Sequence, residues 1–173
     1  QAQGVYEQAL KAFPIMPGLY DGMAEVLVAQ GETRRAQNML EEAVRLSPLS
    51  VRRQSTLGKL ALENEDFESA SKAFRHAVTQ GQSSRYKDAE NNLGLVQALM
   101  NKNAGFGLDA RTRVEINATL SEVAKENPED QGLQVRARMM KAASLQQAGD
   151  PETAAKLTEQ AIQRLDKMNQ FFS

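Results

Sequence analysis

Cysteine is absent from the 173-residue sequence, and histidine occurs once, at position 76. Without cysteine there are no disulfides, thiol nucleophiles or thiolate metal sites, and the chain needs no oxidation to fold, which suits a reducing cytoplasm. With one imidazole, no glycine-rich phosphate loop and no paired ligand motif, the sequence offers no catalytic, cofactor-binding or metal-ligating constellation, so an enzyme is not expected. His76 directly precedes a packing alanine, Ala77, and is expected at a solvated helix edge rather than in metal binding or phosphotransfer. No apolar run approaches the roughly 18 residues that a membrane-spanning helix requires. The first residues, "QAQGVYEQ", lack the charged-then-apolar order of a signal peptide and carry no Met, so further sequence is expected upstream. Charge of one sign is also missing: 21 Lys and Arg against 22 Asp and Glu leave a net charge of -1. No global field then draws the chain to nucleic acid or to an anionic membrane, and neither is an expected partner.

What is present is a period. "AQNMLEEAVRLSP" starts at Ala36 and "ASKAFRHAVTQGQ" starts at Ala70, 34 residues later. Ala36 falls on Ala70, Leu40 on Phe74, Ala43 on Ala77 and Val44 on Val78, so small and large apolar residues recur in step. Stepping back from Ala36, Leu40, Ala43 and Pro48 lands on Ala2, Tyr6, Ala9 and Pro14. The preceding helix repeats too, with Tyr20, Met23, Ala24 and Leu27 matched by Gln54, Leu57, Gly58 and Ala61.

A 34-residue helix-turn-helix unit with this placement resembles the tetratricopeptide repeat. The resemblance implies an all-α fold, a superhelical solenoid of antiparallel helix pairs. Small residues such as Ala24, Ala36 and Ala43 would admit the neighbouring helix while Met23, Leu27 and Leu40 fill the space between. Expected units are 17–50 and 51–84, the second with Gln54 in place of the aromatic and Glu65 in place of the turn glycine, Gly31. A third unit, 85–128, contains the pair Leu93-Gly94, an enlarged turn near 103–109, and a second helix capped by Asp109 with the stripe Ile116, Leu120 and Val123. The region 129–173 reads as a degenerate repeat with a helix starting near Asp130, a first-turn Pro151 and a C-terminal capping helix. Residues 1–16 read as the second helix of a truncated repeat.

The stretch from Leu19 to about Ser84, with "LYDGMAEV", "EAVRLSPLSVRRQSTLGKLA" and "KAFRHAVTQGQSS", is similar to the repeat region of bacterial response regulators that join a receiver domain to tetratricopeptide repeats. That resemblance implies a receiver upstream and makes this chain the output, partner-binding part of a two-component regulator, without catalysis. Alternatives are an assembly scaffold outside phosphorelay and an accessory domain of an enzyme.

In tetratricopeptide arrays the concave face is built mainly from first helices, which would dock a protein or peptide segment. Register places Asp21, Glu25 and Val28 there, then Arg52, Ser55, Thr56 and Lys59, then Asp88, Asn91, Asn92 and Leu95, then Arg136, Met139, Met140 and Ala143. Arg52 and Arg53 open a first helix and Arg34 and Arg35 a second; such pairs suit either a solvated face or recognition of an acidic segment. Met139-Met140 is expected to fill core space. The Lys, Asn, Asn, Lys, Arg clamp with which one subfamily holds C-terminal carboxylates is replaced here by Asp21, Glu25, Thr56, Asp88 and Asn92, so that ligand is not expected. Phe106, between two glycines of the enlarged turn, is expected to staple the turn against the array, with an exposed anchor for a partner as the alternative.

Overall fold

The computed structural model describes residues 2–82, 84 and 87–170, the side chains of 168–170 excepted. Among these residues the chain forms helices and no strand. They are α1 (Ala2–Ala12), α2 (Pro17–Ala29), α3 (Thr33–Leu46), α4 (Val51–Glu63), α5 (Phe67–Gly81), α6 (Ala89–Lys102), α7 (Ala110–Glu126), α8 (Gln131–Gln147) and α9 (Pro151–Gln170). None is long and apolar enough to cross a membrane. The chain divides into two compact units, Gln1–Gly94 and Leu95–Ser173.

In the first unit consecutive helices pack pairwise, α1 on α2, α2 on α3, α3 on α4 and α4 on α5. Its core joins Met23, Ala24 and Leu27 of α2, Ala36 and Leu40 of α3, Leu57 and Leu60 of α4, and Ala73 of α5, flanked by Tyr6 and Leu10 of α1. Close approach is most severe around Phe74. A Cβ added at Gly58 would meet its ring at 2.9 Å, and one added at Gly94 at 2.5 Å. Gly22 stands in the same relation to Tyr6, whose position the period equates with Phe74. Two helices can share one aromatic ring only where neither carries a side chain of its own.

The turns repeat as faithfully as the core. At the α2–α3 turn Glu32 N donates to Leu27 O (2.9 Å) and Gly31 N to Val28 O (2.9 Å); 34 residues on, Asp66 N donates to Ala61 O (2.8 Å) and Glu65 N to Leu62 O (3.1 Å). This helix ending requires a left-handed residue. Gly31 supplies it at φ 78°, whereas Glu65 adopts φ 59° with a side chain in place, so the replaced glycine leaves the backbone conformation unchanged at a cost of about 1–2 kcal/mol. On the opposite edge, Tyr20 Oη donates to Pro14 O (2.9 Å), and Gln54 Nε2, the residue in the aromatic's place, donates to Pro48 O (3.1 Å). A polar latch joins α3 to the α4–α5 turn: Asn64 Nδ2 donates to Gln37 Oε1 (2.8 Å), Gln37 Nε2 to Asp66 Oδ2 (2.7 Å), and Arg34 to Asn64 O (2.8 Å). Asp66 also caps α5 by accepting from Ser69 N. Burial works to raise its pKa, but the Ser69 and Gln37 hydrogen bonds and the nearby Arg34 charge outweigh it and hold the carboxyl below its ordinary value.

In the second unit α7 packs on α8 and α8 on α9. The expected stripe Ile116, Leu120 and Val123 is buried, with Val135, Ala137, Ala142, Ala154 and Ala161. Asp109 and Asp130 cap α7 and α8 through Thr112 N and Leu133 N, both at 2.9 Å. The enlarged turn departs from expectation: Phe106 is 96% exposed, and Leu108, two residues on, is buried instead. Gly107 at φ 74° reverses the backbone between them, so the staple exists but is made by the aliphatic residue.

Gly58→Leu is expected to lower stability by roughly 1–3 kcal/mol, because the added side chain must displace Phe74 from a filled core. The urea midpoint reads it, and an unchanged midpoint contradicts the packing described. Asp66 contributes stability that is fully present above its unfolded-state pKa of about 4 and is lost as pH falls through the lower folded value. The advantage of the wild type over Asp66→Asn, measured by urea unfolding at pH 7, should therefore shrink below about pH 4.

Candidate functional site

The first helices α2 and α4 lie side by side and leave a groove of about 450 Å³. Helical spacing aims Asp21, Glu25 and Val28 into it from α2, and Arg52, Thr56, Lys59 and Glu63 from α4. Ala24, Leu40 and Leu60 form an apolar floor. Six residues expected on the concave face, Asp21, Glu25, Val28, Arg52, Thr56 and Lys59, thus share one lining; Ser55 is half-buried on α4 and outside it.

Arg53, read in sequence with Arg52 as a solvated pair or a contact for an acidic segment, instead pairs within the fold and sets the geometry. Its Nε lies 2.9 and 3.0 Å from the two Asp21 carboxylate oxygens, and its second guanidinium nitrogen is 2.7 Å from one of them. This fork ties α2 to α4 and neutralises Asp21. Glu25, Arg52, Lys59 and Glu63 have no ion-pair partner among the described residues, so the groove is lined by two free cations and two free carboxylates. Thr56 Oγ1 donates to Arg52 O within α4. Arg34, by contrast, donates to Asn64 O and belongs to the α3 latch, while Arg35 pairs with Glu32.

The α6 positions correct the sequence reading. Asn91, Asn92 and Leu95 are 2%, 4% and 3% exposed, so they are not solvent-facing groove residues; only Asp88 of that set is exposed, and its Oδ1 accepts from Glu90 N at the start of α6. The register holds, since the equivalent Thr56 and Lys59 of α4 are exposed, but this face of α6 is covered. Leu95, a large apolar residue at a groove position, was the signal available in sequence. In the second unit Arg136 is exposed on α8, as are Ala143 and Met139, whereas Met140 is half-buried. Met139, 41% exposed, is not the core filler expected. His76 is exposed on α5, at the rim of a second cavity that also takes in Arg45 and Lys72. Among the described residues no group of three or more His, Asp or Glu could hold a metal ion.

A family model described as tetratricopeptide repeat matches residues 27–93. Among solved structures, the chain is similar to a crystal structure of MamA protein, at 16% identity over 98% of this chain and 84% of that one, with a TM-score of 0.75. It is similar also to MamA MSR-1, at 15% identity, 96% and 87% coverage and a TM-score of 0.71. A MamA RS-1 double mutant gives 14% identity, 96% and 84% coverage and 0.70. No curated protein matches the chain by sequence. The fold is therefore the all-α tetratricopeptide-type solenoid that the period implied.

The Arg53–Asp21 fork is partly shielded and bidentate, so its coupling should reach the upper range for surface pairs, about 1 kcal/mol. A double-mutant cycle on Asp21→Ala and Arg53→Ala, read by urea unfolding, measures it; additive losses contradict the role assigned to the fork.

Proposed function

We propose that the chain is a non-catalytic protein-interaction module whose α2–α4 groove docks a peptide or helical segment of a partner protein. The carrying observation is that one groove gathers an apolar floor and four side-chain charges without internal partners. Arg52 is the most telling of them. It stands in the first turn of α4, where the helix dipole disfavours a cation by about 0.3–1 kcal/mol. Arg53, its neighbour, is compensated by Asp21, but Arg52 has no resident carboxylate. A cation held against the local field and left unpaired suits an incoming acidic group. The mixed signs of Glu25, Arg52, Lys59 and Glu63 favour a segment that carries both charges around an apolar side chain.

The units of this module are 17–50, 51–84, 85–128 and 129–173. The similarity of Leu19 to Ser84 with receiver-linked repeats supports a setting as the output part of a bacterial two-component regulator, with the receiver upstream, and a cytoplasmic location. The sequence preceding Gln1 tests that setting: acidic residues at strand ends of an alternating α/β region would support it, and their absence would leave the scaffold reading. Exposed Phe106 and Asp88 offer further contacts outside the groove, as do Arg136 and Met139 on α8.

A partner captured by pull-down should bind Arg52→Glu more weakly by about 2 kcal/mol if the guanidinium meets a partly buried carboxylate. Arg35→Glu, which changes charge on α3 away from the groove, should bind as the wild type does. Calorimetry compares them, and equal affinities for all three proteins would sink the groove as the docking site.

A further inference from the structure

The two inter-repeat turns of the first unit, 13–16 and 47–50, are built alike. In each, the fourth residue's N–H returns to the first residue's carbonyl, Met16 N to Phe13 O and Ser50 N to Ser47 O, both at 3.3 Å. In each, proline holds the second position, and its carbonyl is clamped from the following helix by Tyr20 or Gln54. The third position is the tip. It carries Ile15, 80% exposed, and one repeat later Leu49, 71% exposed. Phe13 and Met16 add two more exposed apolar side chains to the first turn. A large aliphatic residue displayed twice on a latched turn is costly to leave in water, and nothing in the core uses it.

The charge in the sequence stretches that carry these tips is one-sided. No carboxylate occurs from Gln8 to Tyr20 or from Ala43 to Leu62, whereas Lys11, Arg45, Arg52, Arg53 and Lys59 lie in those stretches. Arg45 is held by Glu42 and Arg53 by Asp21, but Lys11, in the last turn of α1, and Arg52, in the first turn of α4, have no ion-pair partner among the described residues. The net charge of -1 averages this edge with the carboxylate-rich opposite one, where Glu32, Glu63, Glu65, Asp66 and Glu68 cluster around the intra-repeat turns.

We propose that this edge rests on an anionic lipid surface, with Ile15 and Leu49 entering the headgroup boundary and Lys11 meeting lipid phosphates. Protruding tips favour a bilayer over a protein, because a protein would need a matching cup for each tip and a bilayer yields to both. The stretches that carry the tips hold cations and no carboxylate, which matches an anionic leaflet. The association is peripheral and reversible.

Flotation of the whole chain with vesicles tests it. Binding to equimolar phosphatidylglycerol and phosphatidylcholine should exceed binding to phosphatidylcholine alone by about tenfold or more and weaken with added salt. The double variant Ile15→Ser, Leu49→Ser should lose about tenfold in partitioning with its helical circular dichroism unchanged, and Lys11→Glu a few-fold; none of these residues lines the α2–α4 groove. Equal binding to both vesicles overturns the proposal, as does full binding by the double variant. No vesicle binding, together with concentration-dependent self-association that the double variant abolishes, reassigns the edge to protein contact and overturns it as well.

Discussion

The spacing of the helices in the first unit depends on one ring. Phe74 fills the space that Gly58 and Gly94 leave empty, and an added methyl group at either position would stand within 3 Å of it. Dispersion and burial favour the ring there only while both helices lack a side chain, so the match of large against small fixes how closely α4 and α6 approach α5. The same position is Tyr6 in α1, against Gly22, and Leu40 in α3, which shares the core with Ala24. Once these approaches are set, the separation of α2 from α4 follows, and with it the width of the groove. The Arg53 fork can span to Asp21 only at that separation.

Polar groups enforce what the core permits. Gln37 of α3 is joined to Asn64 and Asp66 of the α4–α5 turn, with Gln37 and Asn64 buried. Leaving such groups unpaired costs more than pairing them gains, so the latch penalises any slip of α3 against the α4–α5 turn. The turn itself tolerates Glu65 in a conformation that favours glycine, because hydrogen bonds on both sides, Asp66 N to Ala61 O and Glu65 N to Leu62 O, hold the chain there. Core and latch together absorb that strain.

The 34-residue period made the helix pairs legible because close packing leaves a size signature that composition cannot imitate. Ala36, Leu40, Ala43, Ala70, Phe74 and Ala77 are all buried where the stripe put them. Half of the candidate site was legible for the same reason: α2 and α4 keep strict register, and the residues on their shared face meet in one groove. Burial of Asn91, Asn92 and Leu95 was not legible, since a position in a repeat fixes the direction of a side chain along its helix but not what covers it. Phe106 and Leu108 show the same limit in a turn. The sequence marked the enlarged loop, and the backbone reversal at Gly107 decided which residue went inside. The internal role of Arg53 was not legible because adjacent arginines look alike in sequence; only the position of Asp21 on α2 distinguishes it from Arg52.

Repetition also sorts charge in a way that the totals conceal. In each helix pair the second helix begins at the intra-repeat turn, where an acidic residue, as Asp66 and Asp150 do, caps exposed N–H groups and meets the favourable end of the dipole. At α3 Glu32 occupies the same position without a side-chain cap, keeping the sign of the charge if not the hydrogen bond. The inter-repeat edge receives the C-terminus of α3, where Arg45 is favoured, but also the N-terminus of α4, where Arg52 and Arg53 are not. Helix energetics therefore accounts for Glu32, Asp66 and Asp150 at the intra-repeat turns and for Arg45 on the inter-repeat edge, though not for Glu63 at the C-terminus of α4. It leaves Arg52 and the two aliphatic tips unexplained by folding, and a residue that the fold does not require, at a place where it is mildly unfavourable, is where an external contact is to be sought.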